Sequence, residues 1–355
     1  MPPRRRRRVD PMLFELPVER IRRGEFSDVY FNRARDALRA EGRSARVTWQ
    51  VSTKRAGWLG GIDEAVALLK LCSEDYAALE VHALYEGDRV EPWDTVLLVE
   101  GDYALFAHLE TLILGTIARR TRVCTNMRTL VDAARPKPIY FFGARSDHGL
   151  LQPGDGLAAH VGGAASVSTD AQGVLTGKRG VGTIPHALIA AYDGDTVAAA
   201  LAVSKIIPPD VPLIALVDYH NDSVATSLAV ARALEGRLWG VRLDTSEFMV
   251  DKSVIPSMGS FPPVGVNPVL VWNVRNALDA EGFGHVRIVA SGGFTVRRIR
   301  AFEDDGVPVD AYGVGASVFE GRWDFTADVV RLNGKPQAKA GREFRPNARM
   351  EKVKN

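Results

Sequence analysis

Beyond residue 136, short unbroken apolar runs alternate with longer stretches whose apolar positions recur every three to four residues. An unbroken apolar run of strand length suits a strand buried on both faces, and an amphipathic stretch after it suits a crossover helix. The pattern therefore predicts a parallel sheet of strand-helix units. The runs fall at 139–142, 213–217, 238–243, 286–290 and 309–312, with helices including 222–234, 269–280 and 296–305. A glycine- and alanine-rich stretch at 160–183 hides one or two further strands.

Ahead of residue 136 the rhythm is different. Ser27 or Asp28 is placed to cap a helix running to Gly42, with Tyr30, Phe31, Ala34, Ala37 and Leu38 on its core face. Strand, helix, strand and strand follow at 47–51, 62–72, 79–84 and 96–99, then two helices between Tyr103 and Ala134. Pro136-Lys137-Pro138 punctuates the change of pattern. The expected organisation is a basic tail at 1–11, an α+β domain at 12–135, an incomplete, seven-stranded-like β/α barrel at 136–321, and an extension at 322–355. In that extension a turn at Asn333-Gly334 returns the chain toward the N-terminal layer.

Composition narrows this picture. The chain has 355 residues and a formal net charge of +2, too balanced for a broad nucleic-acid footprint, so any anion site must be local. The Arg4 to Arg8 run reads as a solvated, self-repelling tail, with a polyanion-binding arm as the alternative. Cys72 and Cys124 lack metal-ligand spacing and read as buried free thiols, which suggests a reducing, cytoplasmic setting. No apolar run has the length of a membrane span, and no apolar segment follows the basic N-terminus to make a signal peptide.

Each of the five apolar runs ends in a polar or glycine cluster, and in a β/α barrel those ends share one mouth. Arg242 and Asp244 are two apart, so on an extended backbone both side chains leave the same face and can reach one ligand. The plainer alternative makes Arg242 a partner for a neighbouring carboxylate and Asp244 a helix cap. Ser291-Gly292-Gly293 and Gly313-Val314-Gly315 close the last two strands, where glycine turns next to helix N-termini can cradle a phosphate. The same mouth is expected to hold Arg145, His186 and Asp218. Carboxylates beside a phosphate suit a Mg²⁺ bridged to a polyanion, or positive charge developing in a transition state. Substitution at the anomeric carbon of a phosphorylated sugar involves both. Gly-x-Ser-x-Gly, Walker and His-Glu-x-x-His patterns are absent from the sequence.

In order along the chain, several motifs resemble those of the nicotinate phosphoribosyltransferase family, a group of type II phosphoribosyltransferases with nicotinamide and quinolinate relatives. They are Gly24-Glu25-Phe26-Ser27-Asp28-Val29-Tyr30-Phe31, Leu109-Glu110-Thr111 with Ile113, Phe142-Gly143-Ala144-Arg145, Gly182-Thr183 with His186, Val241-Arg242-Leu243-Asp244-Thr245, Ala290-Ser291-Gly292-Gly293, and Tyr312-Gly313-Val314-Gly315. The resemblance implies transfer of phosphoribose from phosphoribosyl diphosphate to nicotinate in NAD biosynthesis, with Mg²⁺ and, in many members, ATP as co-substrate, by a homodimer or higher oligomer. It implies that Phe142 stacks on the pyridine, with Tyr30 of a second subunit on the other face, and that Arg145 meets the nicotinate carboxylate. Arg242, Gly293 and Gly315 would hold the ribose phosphate, and Asp244 the ribose hydroxyls or Mg²⁺. Asp218 would lie near the reacting carbon, and His186 would be phosphorylated by ATP.

The chain departs from the family pattern at Ser146, at 164–170 and at Ala187. A quinolinate enzyme, a sugar-phosphate lyase or isomerase, and a non-catalytic paralogue remain as alternatives. The first would want a denser cation cluster than Arg145 offers. The second would want a lysine at a strand end, and none of the five ends has one.

Overall fold

A computed structural model describes residues 6–209, 211–259 and 261–354. Two sheets organise it. The first is antiparallel, in the order Lys335–Pro336, Phe325–Leu332, Arg46–Thr53, Thr95–Asp102, Glu80–Ala83 and Glu351–Lys352. The second is wholly parallel, in the order Ser166–Val167, Ile139–Phe141, Ala311–Val314, Arg287–Ala290, Leu238–Leu243 and Leu213–Leu216. Its first and last major strands in sequence are neighbours, so the sheet curls into an incomplete barrel.

The open seam is filled by an irregular segment. Val181 N donates to Val167 O at 2.7 Å and Ile184 N to Ile214 O at 3.4 Å, so residues 180–184 stand where a seventh strand would. Of the strands expected within 160–183, only Ser166–Val167 is regular. Glycine at 173, 177, 180 and 182 gives the rest little side-chain surface with which to hold a ladder.

Tyr140, Ile214, Trp239, Val289 and Ala311, from five barrel strands, form a small inner cluster separate from the large core under the helices. The pairing of Leu238–Leu243 with its neighbour shifts at Trp239, from Leu213↔Leu238 to Ile214↔Gly240. A Cβ at Gly240 would come 2.7 Å from Arg287 O, so the bulge requires glycine there. Beyond it Val241 and Leu243 are fully buried toward the helices, which turns Arg242 and Asp244 toward the mouth.

The two helices expected between Tyr103 and Ala134 are instead two short 3₁₀ turns and one helix, Glu110–Ala134. This helix joins both cores: Ile113 and Ile117 pack in the N-terminal cluster, and Val123, Met127 and Leu130 in the barrel cluster. Its arginine-rich middle does not break it, because Arg120 pairs with Glu64 at 2.9 Å and Arg119 with Asp155 at 2.7 Å.

The basic N-terminus is also not a free tail from Arg6 onward; Arg4 and Arg5 lie outside the described residues. Arg6 pairs with Asp88, and Arg8 reaches the buried Asp63 at 2.7 Å and lies 4.3 Å over the Tyr85 ring. A carboxylate that buried needs a cation, and the arginine run supplies one. At the other end, Asn333-Gly334, both at positive φ, turns the chain between Phe325–Leu332 and Lys335–Pro336. Phe325–Leu332 pairs with Arg46–Thr53, and Glu351–Lys352 with Glu80–Ala83. Cys72 and Cys124 are free and buried. Among the described residues no helix is long and apolar enough to cross a membrane.

Candidate active site

Because the barrel strands are parallel, the residues just past their carboxyl ends meet at one rim. Arg242 and Asp244 emerge together as expected, with Arg242 Nη1 3.5 Å from Asp244 Oδ2. Ser291 was expected to face a phosphate. Its hydroxyl instead donates to Asp244 Oδ1 at 2.7 Å, with Leu243 O at 3.0 Å, and the side chain is buried. Ser291 thus orients the carboxylate. Arg242 Nε and Thr245 Oγ1 are buried without a partner among the described residues, so donor capacity at this rim is left unspent.

Gly292 and Gly293 adopt φ of +85° and +73°, a turn that L side chains avoid. The nearest atom to a Cβ on Gly292 would be Thr245 O at 3.4 Å, an ordinary contact, so φ and not crowding calls for glycine there. Arg298, which sequence reasoning did not single out, braces it from behind. Its Nη1 donates to Gly292 O at 2.6 Å, its Nη2 to Val266 O, and its guanidinium lies over Phe294. Nothing distinguishes Arg298 from its helical neighbours Arg297 and Arg300 in the sequence.

Gly313 and Gly315 behave differently from the phosphate cradle expected of them. Neither has positive φ. A Cβ on Gly313 would meet Phe142 Cε2 at 2.3 Å, and one on Gly315 would meet Phe142 O at 2.9 Å. These glycines seat Phe142, whose N–H donates to Val314 O at 2.8 Å.

Phe142 borders a cavity of about 270 Å³ lined also by Arg145, Ser168, Thr169, Thr183 and Arg242. Arg145 is exposed and has no ion pair among the described residues, while the Arg242 guanidinium lies 5.8 Å from the Phe142 ring centre. Gln152 ties the cavity walls together, donating to Ala144 O at 3.3 Å and accepting from Thr169 Oγ1 at 2.8 Å. Ser168 and Thr169 sit in the 160–183 stretch, whose pattern was least legible, and Gln152 opens the helix before it.

His186 opens the helix His186–Ala191. Its Nε2 lies 3.0 Å from Asp218 Oδ1. Burial pushes the Asp218 carboxyl above its ordinary range, opposed by His186 and reinforced by Asp244. An imidazole donating Nε2–H to a carboxylate keeps its Nδ1 lone pair for another partner. Tyr30, expected in the core face of its helix, is 61% exposed in the N-terminal layer. Its ring meets Phe31 at 4.3 Å and does not line the Phe142 cavity.

Residues 28–121 match the sequence model of the quinolinate phosphoribosyl transferase N-terminal domain. A structure of nicotinate-nucleotide pyrophosphorylase from Pyrococcus furiosus is similar to the chain at 32% identity and TM-score 0.80, over 95% of this chain and 85% of that one. Human nicotinic acid phosphoribosyltransferase shares the fold at 19% identity and TM-score 0.69, over 88% of this chain and 76% of the human one. Nicotinate phosphoribosyltransferase of Mycobacterium tuberculosis is 29% identical over 287 residues, 78% of this chain, which spans 59% of that curated relative's length. Fold and mouth together define a type II phosphoribosyltransferase architecture, an α+β layer joined to an incomplete barrel. Within that class the chain belongs to the family of the Pyrococcus furiosus nicotinate-nucleotide pyrophosphorylase, and it is similar to nicotinate phosphoribosyltransferases.

Proposed function

We propose that this protein transfers the phosphoribosyl group of phosphoribosyl diphosphate to nicotinate, forming nicotinate mononucleotide and diphosphate. The observation that carries this reading is the cavity itself: an aromatic floor, one unpaired arginine, and the Arg242–Asp244 pair at its edge. A flat ring laid on Phe142 is oriented at little entropic cost. Arg145 then takes the carboxylate. Quinolinate carries two carboxylates; with Arg242 given to the ribose phosphate, Arg145 is the one arginine left for a carboxylate among the described residues that line the cavity, which favours the monocarboxylate.

Departure of diphosphate from the anomeric carbon builds positive charge on the ribose while the pyridine nitrogen closes in. Asp244, held by Ser291, faces that charge, and Arg242 with the Gly292-Gly293 turn receives the ribose phosphate. Asp218 adds a second carboxylate near the reacting carbon. Mg²⁺ suits the oxygen donors of Asp244 and of a diphosphate. Among the described residues no three His, Cys, Asp or Glu side chains group to hold a metal, so the ion would come with the substrate and neutralise the leaving group. His186, with Nε2 on Asp218, offers Nδ1 to accept the γ-phosphoryl group of ATP, releasing ADP. Exposed Tyr30 is read as the second face of the pyridine sandwich, supplied by another copy of the chain in a cytoplasmic homodimer or larger assembly.

The test is a product assay with phosphoribosyl diphosphate, Mg²⁺ and each of nicotinate, nicotinamide and quinolinate, with and without ATP. Nicotinate mononucleotide from nicotinate is expected. Product from quinolinate with release of CO₂, and none from nicotinate, would overturn the reading. Asp244→Ala is expected to lower kcat at least about 100-fold with the fold intact by circular dichroism.

A further inference from the structure

The Leu109-Glu110-Thr111-x-Ile113 motif lies at the start of the long helix, and none of its residues is among those that line the Phe142 cavity. Its three chemical members point to three different places. Glu110 turns inward and accepts from Trp49 Nε1 at 3.0 Å, bracing the sheet, and Ile113 is fully buried in the N-terminal core. Thr111 turns outward to a segment 83 residues away: its Oγ1 accepts from Asp28 N at 3.0 Å and donates to Asp28 Oδ2 at 2.8 Å.

Asp28 occupies the N-cap position of the helix Val29–Ala40, yet its carboxylate makes no capping bond, being committed to Thr111. A second brace holds the same turn. Asn32 Nδ2 donates to Gly24 O at 2.9 Å, and Gly24, at φ +78°, leaves room for Asn32 where a Cβ would clash. Between these braces stands Tyr30. A hydrogen bond between partly exposed groups adds little to stability, because water competes for both partners. An exposed aromatic ring held by a two-way clamp and a local brace is instead a side chain presented in one place.

We propose that Thr111 is a positioning residue that fixes the backbone under Tyr30 and so presents its ring to the pyridine site of a second copy of the chain. This rests on the reading of Tyr30 given above. It assigns the Glu-Thr-x-Ile motif a part in binding nicotinate, although none of its residues lines the Phe142 cavity.

The experiment compares Thr111→Ala, Thr111→Ser, Tyr30→Ala and the Thr111→Ala/Tyr30→Ala double variant in full-length protein. Steady-state kinetics for both substrates are read alongside hydrogen exchange at residues 28–32. Tyr30→Ala is expected to raise KM for nicotinate about 10-fold and Thr111→Ala about 3-fold to 5-fold. KM for phosphoribosyl diphosphate should be unchanged, and Thr111→Ser should restore the wild-type value within about twofold. In the Tyr30→Ala background Thr111→Ala should add nothing, since it acts through the missing ring. Exchange at 28–32 should quicken in Thr111→Ala and not in Thr111→Ser. Equal losses from Thr111→Ala with and without Tyr30 would show a general structural role and overturn the proposal, as would unchanged exchange. An active enzyme in which Tyr30→Ala leaves the nicotinate KM unmoved would instead defeat the reading of Tyr30, and the proposal with it, while quickened exchange would still report the clamp.

Discussion

The turns after the last two barrel strands look nearly alike in sequence, Ser291-Gly292-Gly293 and Gly313-Val314-Gly315, and they need glycine for different reasons. At Gly292 and Gly293 the backbone itself demands it: φ is +85° and +73°, while a Cβ would meet nothing nearer than 3.4 Å. At Gly313 the backbone is unexceptional and the space is full, because the Phe142 ring lies where a Cβ would be. One turn is set by its backbone conformation and is the proposed phosphate site. The other is a seat for an aromatic ring. A Gly-x-Gly pattern at a strand end therefore does not by itself announce a phosphate site, since steric room and positive φ leave the same mark in the sequence.

The difference can be broken by substitution. The largest effect is expected from Gly313→Ala, whose Cβ would lie 2.3 Å from Phe142 Cε2. Displacing the ring should raise KM for nicotinate at least about tenfold and cost about 1–3 kcal/mol in denaturant unfolding. Gly292→Ala makes only ordinary contacts, the nearest being Thr245 O at 3.4 Å, and bears chiefly the φ strain, about 1–2 kcal/mol; it should raise KM for phosphoribosyl diphosphate while sparing nicotinate. If both variants weaken the same substrate, the two turns share one role and the distinction collapses.

A control remote from both turns is Glu110. Burial pushes its carboxyl up to about 7. The folded chain then favours the protonated form, so this contribution to stability is complete below pH 4.5 and is lost as pH rises toward about 7. Glu110→Gln should flatten that slope and raise stability at pH 8 by about 1 kcal/mol, discounted for partial exposure. Thermal unfolding of both proteins from pH 4 to 8 checks it, and parallel curves would show that the carboxyl does not titrate in this window.

Much of the barrel was legible because its strands are buried on both faces and read as unbroken apolar runs. Arg242 and Asp244 were legible because alternation along a strand is a local rule. Strand-end placement also brought His186 and Asp218 to one rim. The gaps have physical causes. Arg298 braces the Gly292 turn through a carbonyl six residues back, a contact no periodicity encodes. Ser291 looked free for a phosphate because its pairing with Asp244 crosses between adjacent strands. Tyr30 fell on the apolar stripe of an amphipathic helix and was expected inside, yet it is exposed: the stripe records which side is apolar, not what covers it.

By itself, then, the sequence determined five of the barrel strands and their crossover helices, the residues at those strand ends and the chemistry they offer, since all of these follow from neighbours one to four positions apart. Only the tertiary structure decided which glycine makes room for a ring and which for a backbone turn. It alone joined Thr111 to Asp28 and drew the arginine run onto Asp63. Those outcomes depend on contacts between segments distant along the chain, and whether two such groups meet is set by the packing of the whole molecule.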